Sequence, residues 1–415
     1  MATNIYNLST LVGQGVVAGL HSECKFLNTV STDYKKDFEQ TKYKPGLTLQ
    51  VNKGPQFQVT TGRVADVQNV EFDSTSFTVV QYNEAISLTS LEQGYDLDDD
   101  YDMMRLGRDM ADRMGREMER IGLQTVAINA GISEGSPGSE PGSMRLFNRI
   151  LAKMDDALAP SRGRYVALSP LANVELIDVI QKLPNPGPEI SNAFLRRKLS
   201  DAGDANFYTT PSVYRATLGS ATNTTPLVNG AVTDNSSTIA IDGLSAATAT
   251  IKKGTKFTIG VLGTATAVQA VDPETKATLP YLKEFTVTAD ATGSGSAIAS
   301  LAISPTIRGS ASQHQNVSQL PPNDAEIVLK LGTTAAGATY GQNVVYQENA
   351  VQMVGLSLPA AKGPKVHSFS DFRGIPIRTG VGSWDAKNDD QILRLDAVVA
   401  FFLTRPDHCG VALGA

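Results

Sequence analysis

The chain has 415 residues, enough for two or three domains with cores of their own. Apolar residues make up 41% and charged residues 19%, which excludes an intrinsically disordered chain. A formal net charge of −6 argues against a dedicated nucleic-acid binder, which would gather positive charge on one face. Two cysteines, Cys24 and Cys409, are too few and too far apart for a disulfide framework or a cysteine metal site, and they read as small apolar residues or reduced thiols. The opening MATNIYNLST has no basic start, and the apolar run Leu11–Leu20 is broken by three glycines, so no secretory signal is expected. No run approaches the roughly 18 apolar residues that a membrane span needs. The expectation is a protein made and folded in a cytoplasm, with no membrane partner.

In chain order, LSTLVGQGVVAGLHSECKFL near the N-terminus reads either as a weak helix or as an arm that orders only against a partner. After the turn at Pro45-Gly46 the pattern becomes alternating, and Leu47–Val51, Phe57–Thr60, Val70–Phe72 and Ser76–Leu91 read as strands. The middle of this region, Asn52–Gln68, has too few large apolar residues for a core. It reads as a long hairpin that reaches away from its own domain and needs a neighbouring molecule to lie upon.

The longest element runs from Asp98 to Asn129. Met103, Leu106, Met110, Met114, Met118, Ile121, Thr125 and Ile128 recur in steps of three and four, so one face of a helix is apolar. Asp98, Asp99, Asp100 and Asp102 sit where the positive end of the helix dipole lies, and the Gly/Ser/Pro run Gly131–Gly142 ends the helix. At 1.5 Å per residue this is a rod of roughly 45 Å, a spine on which sheets can be mounted. A second amphipathic helix is expected over Met144–Pro160 and a strand over Arg162–Ser169. A helix then starts at Pro170, with Leu171, Val174, Ile177 and Ile180 inward. Arg196, Arg197 and Lys198 read as a solvated helix face.

Composition changes sharply near Leu218. From Gly219 to Tyr340, Thr, Ala, Ser and Gly dominate, and short β-branched runs recur at intervals of about ten residues. This predicts a small all-β barrel or sandwich inserted into a different fold, at a place where entry and exit lie close together. Within it IKKGTKF (Ile251–Phe257) reads as a basic β-turn with solvated lysines. Asn343–Pro359 then holds a strand and a short apolar segment, and Gly374–Trp384 and Ile392–Thr404 complete a sheet.

Chemistry-bearing motifs fail on context. GISEG (Gly131–Gly135) has the G-x-S-x-G spacing of a nucleophile elbow at Ser133, which needs a strand before the serine and a helix after it; here a helix precedes and a Gly/Pro loop follows. Asp96–Asp102 begins like a calcium loop but has Tyr101 where glycine is required and Gly107 where a bidentate glutamate is required. His21, His314, His367 and His408 are scattered, and only His408 has a neighbour of ligand type, Cys409. No catalytic, cofactor or metal residues are assigned.

The order of arm, long hairpin, spine helix, mixed α/β region, inserted β-domain and closing sheet resembles the major capsid proteins of tailed bacteriophages with the Hong Kong 97-type (HK-97) fold. It is most similar to the coat protein of the Salmonella-infecting short-tailed phages, whose hallmark is an inserted β-barrel. Thr404-Arg405-Pro406 followed by Gly410-Val411, Glu348–Pro359, Ile251–Val261 and Phe285–Pro305 carry the local likeness. The resemblance implies an α+β, HK-97-like fold. Its parts would be an N-terminal arm (1–45), an extended hairpin and start of a peripheral domain (46–97), and a peripheral domain with the spine helix (98–160). An axial domain in two parts (161–218 and 341–372) would flank the inserted barrel (219–340), with peripheral strands and the C-terminus last (373–415).

The resemblance further implies a homo-oligomer of pentamers and hexamers in an icosahedral procapsid, with a scaffolding protein, a portal at one vertex and packaged DNA held only non-specifically. The hairpin residues Lys53, Gln56, Arg63 and Asp66, and Asp234 and Asn235 in the insertion, are candidate contacts between subunits. An encapsulin-type nanocompartment shell shares the fold and is the alternative; a serine hydrolase using Ser133 is a remote one.

Overall fold

The computed structural model describes residues 8–38, 41–53, 67, 70, 72–89, 99–181, 201–202, 204–221, 226–332, 336–359, 367–382, 385 and 387–414. The expected strand Phe57–Thr60 and the basic run 196–198 lie outside them. The chain divides into two compact units. One comprises Met1–Val51, Ser76–Gly122 and Val351–Phe402; the other comprises Asn52–Thr75, Leu123–Ala350 and Leu403–Ala415.

The first unit is built on the strand Asp390–Leu403, whose sequence is apolar enough to be buried along nearly all of its length. It pairs antiparallel with Ile375–Val381 on one side and with Val80–Thr89 on the other. The single strand expected over Ser76–Leu91 is interrupted at Val79, giving Asp73–Thr78 and Val80–Thr89. The core around Val51, Phe77, Val79, Leu356, Val398 and Phe402 is centred on the stacked rings of Phe77 and Phe402, 4.2 Å apart.

The spine helix spans Asp99–Asn129. Against it lies the N-terminal segment, which resolves the two readings in favour of structure within the chain: Leu8–Glu23 is a helix, and Val16, Leu20, Phe26 and Leu27 are fully buried. Close approach is possible because the spine carries Gly115 and Gly122 two turns apart. A Cβ at Gly115 would lie 2.5 Å from Cys24 Sγ and 2.8 Å from Leu20 Cδ2, and one at Gly122 would run into the Phe26 ring. Buried Glu119 then caps the short helix Lys25–Thr29 by accepting the Phe26 N–H at 2.7 Å, a position where Cys24 offers no side-chain cap.

In the second unit a six-stranded mixed sheet runs in the order Ile132–Glu134, Cys409–Ala412, Asn343–Gln347, Arg164–Leu168, Ala205–Thr209, Asp201–Ala202. Helix Met144–Asp156 buries Phe147, Ile150, Leu151 and Met154, and its N-cap Ser143 accepts the Arg145 N–H. The helix, expected to run to Pro160, ends at Asp156, and Leu158 beyond it is exposed with a positive φ of 59°. On helix Pro170–Gln181, Ile177 is buried as expected, together with Ala172 and Leu176, whereas Leu171 and Val174, expected inward, are exposed.

The insertion leaves through Arg215–Thr217 and returns through Thr339–Gly341, and these strands pair antiparallel, so entry and exit are zipped together. Beyond them six strands follow the order Ile327–Leu329, Lys256–Ile259, Glu284–Val287, Ile298–Ile307, Ser236–Asp242, Leu227–Val228. A bridge between Leu227 and Glu326 joins the two ends into a barrel with no free edge. Its interior holds Phe257, Phe285, Ile239, Leu301 and Ile327.

Gly115→Ala is expected to destabilise the protein by about 1–3 kcal/mol through overpacking, although the change would raise helix propensity by about 1 kcal/mol. Urea unfolding at constant pH measures the sign.

Candidate functional site: a buried charged junction in the larger unit

The strands Lys256–Ile259 and Glu284–Val287 pair side by side, with Lys256 opposite Thr286. Phe257, Ile259, Phe285 and Val287 fill the barrel interior, so alternation sends Lys256, Glu284 and Thr286 to the outside. These outward residues are nevertheless buried, because the outer face of the barrel is covered by the end of the spine helix and by the strand that follows it. Solvated lysines were expected in this stretch, and Lys256 is instead fully buried.

Its amine takes a specific place. The Gly131 N–H, which would continue the helix ladder, donates to the Pro406 carbonyl at 2.8 Å. Lys256 Nζ donates to the Ala127 carbonyl at 2.5 Å and to Thr286 Oγ1 at 2.6 Å. A lysine from the insertion thereby caps the C-terminus of the spine helix, where the dipole is negative. Burial lowers the Lys256 pKa to about 7, against the partial opposition of Glu284 and with added repulsion from Lys330.

Beside it Glu284 receives three partners: the Ser133 N–H, Lys153 Nζ at 3.0 Å and Lys330 Nζ at 3.1 Å. Burial acts to raise its pKa, but the charges of Lys330 and Lys153 and the Ser133 N–H more than offset that, holding the carboxyl below its ordinary range. Lys153 also reaches Glu134 at 2.6 Å and lies over the Tyr281 ring, 5.0 Å from its centre. Lys283, between the strands Thr278–Leu282 and Glu284–Val287, pairs with Asp407 in the turn Pro406–His408. A cavity of about 30 Å³ between Lys153, Tyr281, Lys283, Glu284 and Asp407 has room for a water molecule and little more.

Ser133 lies in the middle of this cluster. It is 1% exposed, Lys330 Nζ donates to its carbonyl at 2.8 Å and is 2.9 Å from its hydroxyl, and it sits in a three-residue strand after a helix. That is a structural serine in place of an elbow. His408 is likewise structural, its Nε2 lying 3.2 Å from the Ala157 carbonyl at the end of helix Met144–Asp156. Cys24 and Cys409 are both buried and neither is in a disulfide. Among the described residues no group of His, Cys, Asp and Glu could hold a metal ion, and no helix is long and apolar enough to cross a membrane.

Of the candidate contact residues, Gln56, Arg63 and Asp66 fall outside the described residues. Lys53 pairs with Asp73 of its own chain at 3.3 Å. Asp234 and Asn235 form a turn in the insertion: Asn235 is exposed at φ 61°, and Asp234 Oδ1 accepts the N–H groups of Asn235 and Gly309. Sequence reasoning missed Lys153, Glu284, Lys330 and Lys256: the only signal of Lys256 and Glu284 is a charge at the outward position of a strand, Lys153 is one charge on an amphipathic helix, and Lys330 follows a strand end.

The family described as "P22 coat protein - gene protein 5" matches residues 1–414. The chain belongs to that family: it is a major capsid protein of tailed phages, and copies of it form an icosahedral shell. No curated protein matches it. Solved structures to which it is similar include a chain of Mycobacterium phage Che8, with a TM-score of 0.45 and 10% identity over 93% of this chain and 90% of that one. Another is the bacteriophage PhiM1 mature capsid (TM-score 0.43, 9% identity, 90% and 83% covered). A third is the virus-like particle from Pyrococcus furiosus (TM-score 0.41, 7% identity, 97% of each chain). The fold is the HK-97-like α+β fold with an inserted barrel, and the protein's place is the virion capsid.

Removing the Glu284 charge takes from Lys330 its carboxylate partner and leaves Lys153 with Glu134 alone, in a buried site. Glu284→Gln is expected to cost about 3–5 kcal/mol in urea unfolding. The pH dependence of Lys256 has the opposite sign to that of a stabilising pair. Its folded pKa of about 7 lies below the unfolded value, so between the two the unfolded chain holds the extra proton and stability rises with pH. Relative to Lys256→Met, the wild-type chain is expected to gain up to about 1.4 kcal/mol per pH unit from pH 7 towards pH 10. Equal slopes for the two proteins would contradict a neutral buried amine.

Proposed function

We propose that the protein assembles, with a scaffolding protein, into a procapsid that carries a portal at one vertex, matures, and encloses a double-stranded DNA genome. The family match over nearly the whole chain is the observation that carries this reading. Assembly takes place in the host cytoplasm, and the protein has no catalytic role, cofactor or metal. Residues 161–218 and 341–372 meet their copies at pentamer and hexamer centres. The hairpin lies on a neighbouring subunit and touches it through Gln56, Arg63 and Asp66, with Lys53 at its neck. Asp234 and Asn235, at an exposed turn of the insertion, contact an adjacent capsomer. The net charge of −6 supports a container that holds DNA only non-specifically, because an inner wall that bound phosphates tightly would impede packaging. Many weak contacts suffice, since each subunit is held by several neighbours at once.

Negative-stain electron microscopy of the protein expressed with and without its scaffold tests this. Closed shells of uniform size are expected with the scaffold. A protein that stays monomeric under both conditions would overturn the reading, and a hairpin shortened within 54–68 that leaves shell yield unchanged would remove that contact.

A further inference from the structure

Two short strands, Thr48–Lys53 and Asp73–Thr78, pair with each other and flank residues 54–72 in the sequence. Lys53 is the last residue of the outgoing strand and Asp73 the first of the returning one. Their side chains meet across this neck, Lys53 Nζ lying 3.3 Å from Asp73 Oδ2. The second carboxylate oxygen is engaged by the insertion: Arg308 Nη2 lies 2.5 Å from Asp73 Oδ1. All three side chains are largely withdrawn from water, with exposures of 20%, 13% and 17% for Lys53, Asp73 and Arg308.

Arg308 is not a loose surface arm. It directly follows the barrel strand Ile298–Ile307. Its N–H donates to Asn316 Oδ1 at 2.9 Å, its carbonyl accepts the N–H groups of Asn316 and Val317, and the next residue, Gly309, donates to Asp234 Oδ1 at 2.7 Å. The barrel therefore aims the guanidinium. Val70 and Phe72, shortly before Asp73 in the sequence, are 56% and 64% exposed. A carboxylate shared by two cations in a half-dry site tolerates few geometries, so the arrangement fixes direction as well as distance.

We propose that Asp73 is a positioning residue for assembly: clamped by Lys53 and Arg308, it ties the neck of the hairpin to the inserted barrel, so that the barrel sets the direction in which the hairpin meets a second copy of this chain. The inference rests on the hairpin being a contact between copies. An isolated two-stranded ribbon is marginally stable in water and cannot hold its own angle. Because an angular error at the neck grows with distance from it, a fixed neck is where precision is gained. The insertion then acts on shell geometry through its own subunit, whatever contacts it makes outward.

The test compares Asp73→Asn, Arg308→Met, the double variant and a chain with 54–72 replaced by a short turn. Shell yield and shape are read by electron microscopy and sedimentation, and folding of the unassembled protein by its thermal transition. Both single variants are expected to keep a cooperative transition while closed, uniform shells fall by at least about tenfold, since each contact is repeated throughout the shell. The double variant is expected to be no worse than the more severe single, because both remove one tie. Arg308→Lys, which keeps the charge and loses the fork, is expected to recover part of the yield and serves if Arg308→Met fails to fold. Wild-type yield from both singles while the shortened hairpin gives no shells would overturn the tie and leave the hairpin contact standing. Normal shells from the shortened hairpin would overturn both. Independent, additive losses in the double variant would mark general destabilisation and also overturn the tie.

Discussion

Glu284 is a carboxylate withdrawn from water, and its need for partners fixes much of the larger unit. The strand after the spine helix must offer the Ser133 N–H, helix Met144–Asp156 must offer Lys153, and the barrel must return Lys330. A buried ion cluster of this kind adds little net stability compared with apolar packing, but a single displaced partner is costly. Its effect is to allow one seating of the barrel. Apolar contact alone would tolerate sliding; three charged groups and a backbone N–H that must all be satisfied do not.

The spine helix is held by the same logic at its far end and by sterics along its length. Lys256 supplies the cap that the helix C-terminus lacks, and burial lowers the pKa of that donor to about 7. In the other unit the groove opened by Gly115 and Gly122 admits Leu20, Cys24 and Phe26, while Glu119 caps the helix that Phe26 begins. Glycine in a helix interior is normally a weakness; in this groove it exchanges propensity for close approach.

These features suit a subunit of a shell. Each copy must be stiff, since errors in angle accumulate around a closed surface, yet its contacts must be weak enough to be corrected during growth. Stiffness here comes from buried charge networks and caps that link distant parts of the sequence. Among the described residues, Val70, Phe72, Leu171 and Val174 are apolar side chains left exposed.

The spine helix, the helix over 144–156, the switch to β structure near Leu218 and most barrel strands were legible in the sequence, because each is a local periodicity that needs no knowledge of what lies opposite. The absence of an elbow at Ser133 was legible for the same reason, since the helix before it is local. What tertiary structure alone decided is which outward faces are covered. Lys256 and Glu284 occupy positions that alternation assigns to solvent, and only the docking of the barrel against the end of the spine helix makes them internal. The N-terminal helix, with its interrupting glycines, has too weak an intrinsic propensity to announce itself, and the spine glycines that receive it look like defects until the partner is in place. The face of helix Pro170–Gln181 went the same way: Leu171 is the larger apolar residue, yet Ala172 is the buried one. Periodicity records which residues share a face, and burial depends on the rest of the chain that comes to meet it.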